Sequence, residues 1–197
     1  MSRVISGMSM SLDGFIAGPD DTRENPLGVG GMRLHRWVEE MNETDAKVLG
    51  DMAEELGAIV MGRHSYDLCE GDGGWGDGGP AGKVPCFVLT HRPPDPKDVV
   101  APDVFTFVTG GVEELIAQAK AAAAGKHVGV HGATVAQQAL AAGLLDGIHI
   151  MLVPLLLGAG KRLFDHVGGP VELKRLWSLE SSDITHLRFD VVKQADS

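Results

Sequence analysis

An α/β fold is predicted, with a central mixed, mainly parallel sheet, helices on both faces and an antiparallel hairpin at the carboxyl end. Strand patterns alternate with helix patterns through the first three-quarters of the chain, an order typical of parallel sheets. The last quarter contains strand patterns only, which adds antiparallel strands at one edge of the sheet. No repeat, charge block or linker divides the sequence, so residues 1–197 are expected to form a single domain.

The first part of the chain is predicted to contain a buried strand, a long loop and a helix. Residues 4–12 are apolar or small on both alternating sets, which indicates a strand covered on both faces. Residues 18–41 follow as a long irregular connection, a length typical of functional or disordered loops. Trp37 in this connection is either a packing anchor or a wall of a substrate site. Residues 42–56 form an amphipathic helix that begins at Asn42, a favoured N-cap residue type.

The glycine-rich segment at residues 71–82 contains Gly-x-Gly-x-x-Gly twice. The dinucleotide-binding use of this motif needs a strand before it and a helix that begins within it. Pro80 and Pro85 follow here and prevent a helix from starting, so a flexible surface loop is predicted. The other predicted elements are strands at residues 58–61, 84–89, 104–108, 127–130, 148–157, 171–180 and 185–193, and helices at residues 111–123 and 134–142.

The balance of charges excludes several classes of partner. The chain has 17 Lys and Arg residues against 27 Asp and Glu residues, and the net charge of -10 repels nucleic acid and anionic lipid surfaces. No apolar run approaches the ~18 residues of a membrane span. The first residues lead directly into a strand pattern without a signal-type cleavage site. The two cysteines, Cys69 and Cys86, are expected to be reduced thiols, so a cytoplasmic protein is predicted.

Several kinds of catalytic site lack their sequence signatures. The eight histidines show no His-Glu-x-x-His pattern, so no metal site is predicted. Lys83 and Lys161 each follow a glycine but lack the rest of a P-loop motif. No Gly-x-Ser-x-Gly nucleophile elbow occurs, so α/β-hydrolase chemistry is not expected.

Three predicted strands end in residues that suit phosphate binding. In an open α/β sheet, ligands bind at the carboxyl ends of the strands. Taken singly, Arg63 is compatible with a surface ion pair and Gly132 with an ordinary turn. Taken together, an arginine fork and a helix start with free N–H groups predict a cradle for phosphate groups. The three segments are Gly62-Arg63-His64-Ser65, Thr90-His91-Arg92 and His131-Gly132-Ala133-Thr134.

Four segments resemble the dihydrofolate reductases, and the resemblance spans nearly the whole chain. They are SLDGFIA (residues 11–17), VMGRHSY (60–66), PCFVLT (85–90) and VGVHGA (128–133).

The chain is still more similar to the reductase domain of the bifunctional riboflavin-biosynthesis deaminase/reductase and to its stand-alone relatives. LLD at residues 144–146, VPLLLGAG at 153–160 and LF at 163–164 carry this likeness. The zinc-deaminase signature is absent from the sequence. GGMRLHRW at residues 30–37 resembles the stand-alone relatives.

The resemblance implies a reductase that uses NADPH, of the 5-amino-6-(5-phosphoribosylamino)uracil reductase type, and a homodimer. Its substrate would be a small pyrimidine, pterin or related molecule that receives a hydride. The implied cofactor contacts are Ser9, Ile16 and Ala17 at the nicotinamide, Gly62, Arg63, His64 and Ser65 at the phosphates, Thr90, His91 and Arg92 at the adenosine 2′-phosphate, and His131, Gly132, Ala133 and Thr134 at the pyrophosphate. The family's turn usually has two or three glycines, whereas Ala133 replaces one here. A nucleotide-binding module without turnover and a true dihydrofolate reductase are the alternatives.

Two carboxylates are candidates for handling the proton that accompanies a hydride. Asp45 lies in the first turn of the predicted helix 42–56, on its inward stripe, and the substrate carboxylate of dihydrofolate reductases comes from the corresponding helix. An acidic residue in a first turn also stabilises the helix dipole, which is the structural alternative. Asp13 is the second candidate, because it ends the first strand beside the expected nicotinamide site. An Asp-Gly pair is, however, also common in turns.

Overall fold

The structure is a computed structural model that describes residues 2–71 and 74–193. Two short 3-10 helices, Gly31–Leu34 and Pro96–Asp98, join the main elements. The strands are β1 (Val4–Ser11), β2 (Phe15–Ala17), β3 (Leu56–Gly62), β4 (Cys86–Leu89), β5 (Phe105–Val108), β6 (His127–His131), β7 (Gly147–Val153), β8 (Lys161–Arg162), β9 (Leu173–Glu180) and β10 (Thr185–Val191). The helices are α1 (Arg36–Glu39), α2 (Glu43–Glu55), α3 (Arg63–Cys69), α4 (Val112–Ala122) and α5 (Ala133–Ala141).

Eight strands form one sheet in the order β5-β4-β3-β6-β1-β7-β10-β9. The first six strands of this order are parallel, β10 is antiparallel to β7, and β9 is antiparallel to β10. The predicted fold class, with a mainly parallel sheet and a carboxyl-terminal antiparallel hairpin, is therefore confirmed. β1 lies near the centre, where it pairs with β6 on one side and β7 on the other.

Helices cover both faces of the sheet, as the alternation along β3 shows. Val60 packs in the larger core cluster with apolar residues of α4 and α5. Ile59 and Met61 point to the opposite face and pack in a second cluster with Tyr66 of α3. α2 lies on the same face as α3, because Leu49 of α2 packs beside Met151 of β7 in a third cluster. The two-sided burial explains why the central strands are apolar on both alternating sets.

Two details differ between the sequence prediction and the structure. The strand predicted at residues 148–157 ends at Val153, because Pro154 has no N–H to donate to a neighbouring strand. β8 is unpredicted; it pairs with β2 to form a separate two-stranded sheet. The predicted loop at residues 71–82 includes residues 72 and 73, which lie outside the described residues.

The edge strand β9 is exposed along its whole length. It pairs with β10 on one side only, and it carries the large apolar side chains of Leu173, Leu176, Trp177 and Leu179 at the surface. Across the part of the chain that the structure describes, no helix has the length and apolarity that a bilayer crossing requires.

Candidate functional site

A cleft of about 660 Å³ opens at the carboxyl ends of β3 and β6, beside β1. Ligands bind at this edge of open α/β sheets, and the volume lies within the range of small-molecule sites. The cleft brings together nine of the residues predicted for the cofactor, namely Ile16, Ala17, Gly62, His64, Ser65, His131, Gly132, Ala133 and Thr134.

The turn between β6 and α5 is shaped by a glycine. Gly132 has a φ of 86°, a conformation that favours glycine. A Cβ at this position would lie 3.0 Å from Ser65 Oγ, so a larger residue would also crowd the start of α3. Gly132 is the N-cap of α5, and no side chain caps this helix. The first N–H groups of α5 can therefore bind an anion such as a phosphate group.

A polar cluster of Asp21, His64 and Lys161 lies in the wall of the cleft. His64 Nε2 lies 2.6 Å from Asp21 Oδ2, and Lys161 Nζ donates to the same oxygen. Burial alone would raise the pKa of Asp21, but the hydrogen bonds from Lys161 and His64 outweigh it and hold that pKa below its ordinary value. Asp21 thus remains a carboxylate that keeps two nitrogen-bearing side chains beside the cleft.

Asp21 and Lys161 were not among the site residues predicted from sequence. They are 140 positions apart along the chain, so no local motif joins them. The only local signal is that Lys161 follows the segment at residues 153–160 that carries the family resemblance.

Two histidines with unused ring nitrogens face the same cleft. Burial, and the nearby His35, lower the pKa of His131 to about 4. Burial also lowers the pKa of His35. Both rings are therefore neutral at pH 7, and the Nδ1 atom of each is buried without a hydrogen-bond partner among the described residues. Trp75 contacts the His131 ring edge-on, with 5.7 Å between ring centroids, and completes this wall.

The residues predicted to bind a 2′-phosphate lie next to the cleft rather than in its lining. Arg63 donates from Nε to Asp67 Oδ1 at 2.6 Å and from a terminal nitrogen to the Arg92 carbonyl oxygen at 2.5 Å. The Arg92 N–H donates to Thr90 Oγ1 at 3.1 Å. His91 and Arg92 are exposed. The structure thus brings these four predicted residues together where β3 and β4 end, with Arg63 held on acceptors of the protein.

Asp45 lies in a buried polar network at the start of α2. Its side chain is 2% exposed, accepts a hydrogen bond from Ser181 Oγ at 2.7 Å and lies 2.9 Å from His186 Nε2. Burial alone would raise the pKa of Asp45, but the hydrogen bonds from His186 and Ser181 hold that pKa below its ordinary value. Asn42 accepts from the Asp45 N–H at 2.9 Å, as predicted for the N-cap. Asp45 is not among the residues that line the cleft.

Trp37 is buried beside this network. It is 5% exposed, and it packs against Met151 and Ile184. Its Nε1 donates to Ser9 Oγ at 3.1 Å, and its ring meets the His186 ring edge-on at 5.8 Å. Neither Trp37 nor Ser9 lines the cleft. The position of Trp37 fits the packing-anchor interpretation, and its contact with substrate stays a prediction.

Asp13 is held by a turn of the backbone. The Ser11 hydroxyl donates to its carboxylate at 2.5 Å, and the N–H groups of Leu157 and Gly158 donate at 3.0 and 2.8 Å. The hydrogen bond from Ser11, with those two backbone donors, lowers the pKa of Asp13 to about 2. At neutral pH the carboxylate is ionised and tethers residues 157–158 to the end of β1.

The sequence and the fold both have relatives. Residues 2–187 match the family described as the RibD C-terminal domain. No curated protein has a matching sequence.

Three solved structures share the fold. A provisionally assigned riboflavin biosynthesis protein of Shewanella sp. PV-4 is 22% identical, with a TM-score of 0.72 over 98% of this chain and 100% of that one. The deaminase/reductase of Thermotoga maritima is 14% identical, with a TM-score of 0.61 over 97% of this chain and 57% of that one. Dihydrofolate reductase from Enterococcus faecalis, complexed with NADP(H), is 14% identical, with a TM-score of 0.60 over 97% of both chains. The fold is thus dihydrofolate reductase-like.

Proposed function

This chain belongs to the RibD C-terminal domain family, and from that membership we propose that residues 1–197 act as one cytoplasmic NADPH-dependent reductase domain. The enzyme transfers a hydride to a small pyrimidine, pterin or related substrate, and kinship makes the phosphoribosylamino-uracil precursor of riboflavin the first candidate.

The observation that carries the proposal is the cleft at the ends of β3 and β6. It combines a glycine turn at an uncapped helix start with His64 and Lys161 in its wall. Such a combination suits a phosphate-bearing ligand in a protein whose net charge is -10. A Cβ added at Gly132 would lie 3.0 Å from Ser65 Oγ. The absence of this Cβ leaves a space of the kind that a pyrophosphate requires.

The residues of the cleft fit NADPH, which when bound supplies the hydride. The α5 N–H groups, with His131, Gly132, Ala133 and Thr134, would hold the pyrophosphate. Ile16 and Ala17, with Ser9 of β1, would position the nicotinamide. Gly62, His64 and Ser65 approach the phosphates, and the remaining predicted contacts, Arg63, Thr90, His91 and Arg92, bind the 2′-phosphate.

The proton is proposed to come from water that enters the cleft. Asp13 and Asp45 are the two carboxylates that the sequence offers for this role. Both have pKa values below their ordinary range, so both are ionised at neutral pH and have no proton to give. Both also have their oxygens engaged by neighbouring donors. Asp45 instead acts as a positioning residue, because its partner His186 contacts Trp37, which holds Ser9.

The test is cofactor binding followed by turnover. We expect NADPH to bind to the purified chain and to be oxidised by at least one member of a panel of pyrimidines, pterins and flavins that includes dihydrofolate. Gly132→Val forces a branched side chain into a positive-φ turn and toward Ser65, so NADPH affinity should fall at least roughly 10-fold. Gly125→Val, at another positive-φ glycine with open space around its Cβ, is the control for strain alone.

If the wild-type protein did not bind NADPH, the proposal that NADPH is its cofactor would be wrong. Binding without oxidation by any member of the panel would favour a nucleotide-binding module over an enzyme. Turnover of dihydrofolate alone would identify the true dihydrofolate reductase alternative.

A homodimer is also proposed, joined through the β9 edge. An exposed edge strand with apolar side chains is normally covered, because it otherwise pairs with other chains. Leu176 and Leu179 are 42% and 41% exposed on this strand. We expect light scattering to give the mass of two chains. Leu176→Lys should yield monomers, whereas Leu12→Lys, at an apolar residue 65% exposed elsewhere, should leave the dimer intact. A wild-type monomer at micromolar concentration would contradict this arrangement.

A further inference from the structure

A second cavity of about 300 Å³ lies on the α2 face of the sheet, between α2 and strands β1, β3 and β6. Two glycines lie on its sheet side, and each is covered by a neighbouring side chain. A Cβ on Gly7 would lie 3.0 Å from Met52 Cε, and a Cβ on Gly129 would lie 2.9 Å from Leu56 Cδ1. The α2 groove, as we name this cavity, has walls that include Ile5, Leu49, Met52, Leu56, Ile59 and Val128. The function proposed above does not use it.

An arginine without a close partner lines one end of the α2 groove. Arg188 of β10 is 9% exposed. Within the described residues, its charged neighbours Glu55, Arg3 and Asp190 act on it only at longer range, and none forms an ion pair or hydrogen bond with it. Burial lowers its pKa, but a guanidinium stays charged at neutral pH. A buried cation of this kind is costly unless an anion compensates it.

Histidine nitrogens without partners also border the α2 groove. The Nδ1 atoms of His127 and His131 are buried and have no hydrogen-bond partner among the described residues. His131 is shared, since it lines the cofactor cleft as well. A ligand in the α2 groove would therefore meet polar groups at its ends and apolar side chains along its body.

The strand register gives the length of this site. Gly7 pairs with His149, which in turn pairs with Arg188. Ser6 pairs with Val130, so His131 lies one residue further along, level with Gly7. His131 and Arg188 are thus three strand spacings apart, or about 14 Å between their backbones.

We propose that the α2 groove binds an apolar molecule with a single anionic group, which pairs with Arg188 while the apolar body lies among the aliphatic side chains of the groove. The identification of this ligand as the substrate rests on the proposed reductase function, because only the shared wall at His131 brings it beside the cofactor cleft. Binding of the anion itself does not depend on that function.

The lining narrows the substrate class that the family alone suggests. A phosphoribosyl group would place several hydroxyls against aliphatic side chains such as Leu49 and Ile59, and each unpaired hydroxyl would lose its hydrogen bonds to water. The apolar body of an aromatic or aliphatic carboxylate or sulfonate has no hydroxyls, so it loses no such hydrogen bonds. The α2 groove therefore favours this class over a sugar phosphate.

The test uses a matched pair of fluorescent probes on the full-length protein without cofactor. The probes are 8-anilinonaphthalene-1-sulfonate and its uncharged analogue N-phenyl-1-naphthylamine. Arg188→Gln should weaken sulfonate binding roughly 10-fold or more and change binding of the analogue less than about twofold. Arg188→Lys, which keeps the charge, should retain most of the affinity. Glu55→Gln removes the acidic group at the mouth of the α2 groove and should tighten sulfonate binding about twofold to fourfold.

A blocking variant covers the case in which Arg188→Gln fails to fold. Ala53 is exposed on α2 and lines the α2 groove, so Ala53→Phe should reduce binding of both probes at least roughly fivefold without disturbing the core. Ala46→Phe, at an exposed position of the same helix outside the α2 groove, is the control. Unchanged sulfonate affinity in Arg188→Gln, or in Ala53→Phe if the first variant does not fold, would overturn the proposal. A wild-type protein that does not bind NADPH would overturn the proposed reductase function but not the proposed anion site.

Discussion

Replacing Arg63 by alanine is expected to weaken NADPH binding roughly 10- to 150-fold and to leave NADH binding nearly unchanged. A charge-assisted contact to phosphate contributes about 1.5–3 kcal/mol, and only NADPH carries the 2′-phosphate. The structure places Arg63 at the end of β3, bonded to the Arg92 carbonyl oxygen at 2.5 Å and flanked by the Thr90 turn. The measurement is titration of both cofactors into wild type and variant by intrinsic fluorescence.

The control for this prediction is an arginine of similar exposure at the opposite end of the sheet. Arg3 precedes β1, is paired with Asp190 and has a side chain that is 35% exposed, against 33% for Arg63, so Arg3→Ala should leave both dissociation constants unchanged. Equal dissociation constants for NADPH and NADH in the wild type would contradict the prediction, because the protein would then not recognise the 2′-phosphate.

Replacing Asp45 by asparagine is expected to lower the free energy of unfolding by about 3 kcal/mol. A hydrogen bond to a charged acceptor contributes about 1.5–3 kcal/mol, and asparagine replaces the carboxylate beside Ser181 and His186 by a neutral amide with one acceptor oxygen. His186 is the partner that is left, because its Nε2 lies 2.9 Å from Asp45 and its ring is fully buried. Denaturant unfolding at pH 7 measures the change.

The pH dependence of the same variant tests the cause. The folded-state pKa of Asp45 is below its ordinary value, so its stabilising effect is present above the unfolded-state pKa and is lost as the pH falls through the folded-state pKa. The difference between wild type and Asp45→Asn should therefore shrink in acid. Asp51→Asn, the same substitution at an exposed ion pair on α2, should change stability by less than about 1 kcal/mol.

A different result would assign Asp45 a different role. If turnover fell ~100-fold or more while NADPH affinity and unfolding were unchanged, Asp45 would handle the proton. The positioning role would then be wrong, and the hypothesis that the sequence suggested would be supported.

The order of strands and helices could be predicted because it rests on local signals. Apolar periodicity and turn glycines along the chain are enough to predict that β1, β3 and β6 lie in a parallel sheet and that helices such as α4 and α5 cover it. The position of the cleft follows from the same information, since parallel strands such as β3 and β6 end at the same edge of the sheet. Gly62 and Gly132 were therefore placed together correctly from sequence.

The buried polar network could not be predicted, because its members are distant and its pattern is misleading. Asp45 and His186 are 141 positions apart. His186 and Arg188 alternate with Leu187 and Phe189 along β10, a pattern that by itself places the polar residues toward solvent. The structure instead buries His186 and Arg188 on the α2 face. The α2 groove escaped prediction for the same reason, since Arg188 has no local motif.

The central position of β1 has a consequence for biosynthesis. Val4 pairs with Val128, and Ile5 with Gly147. At a translation rate of about 5–20 residues per second, roughly 6–25 s separate the synthesis of β1 from that of its first partner. During that interval the apolar β1 segment has been synthesised, but its backbone groups have no partner strand. Nascent chains of this protein should accordingly depend on chaperone capture, and a circular permutant that moves β1 behind β6 should fold with less aggregation.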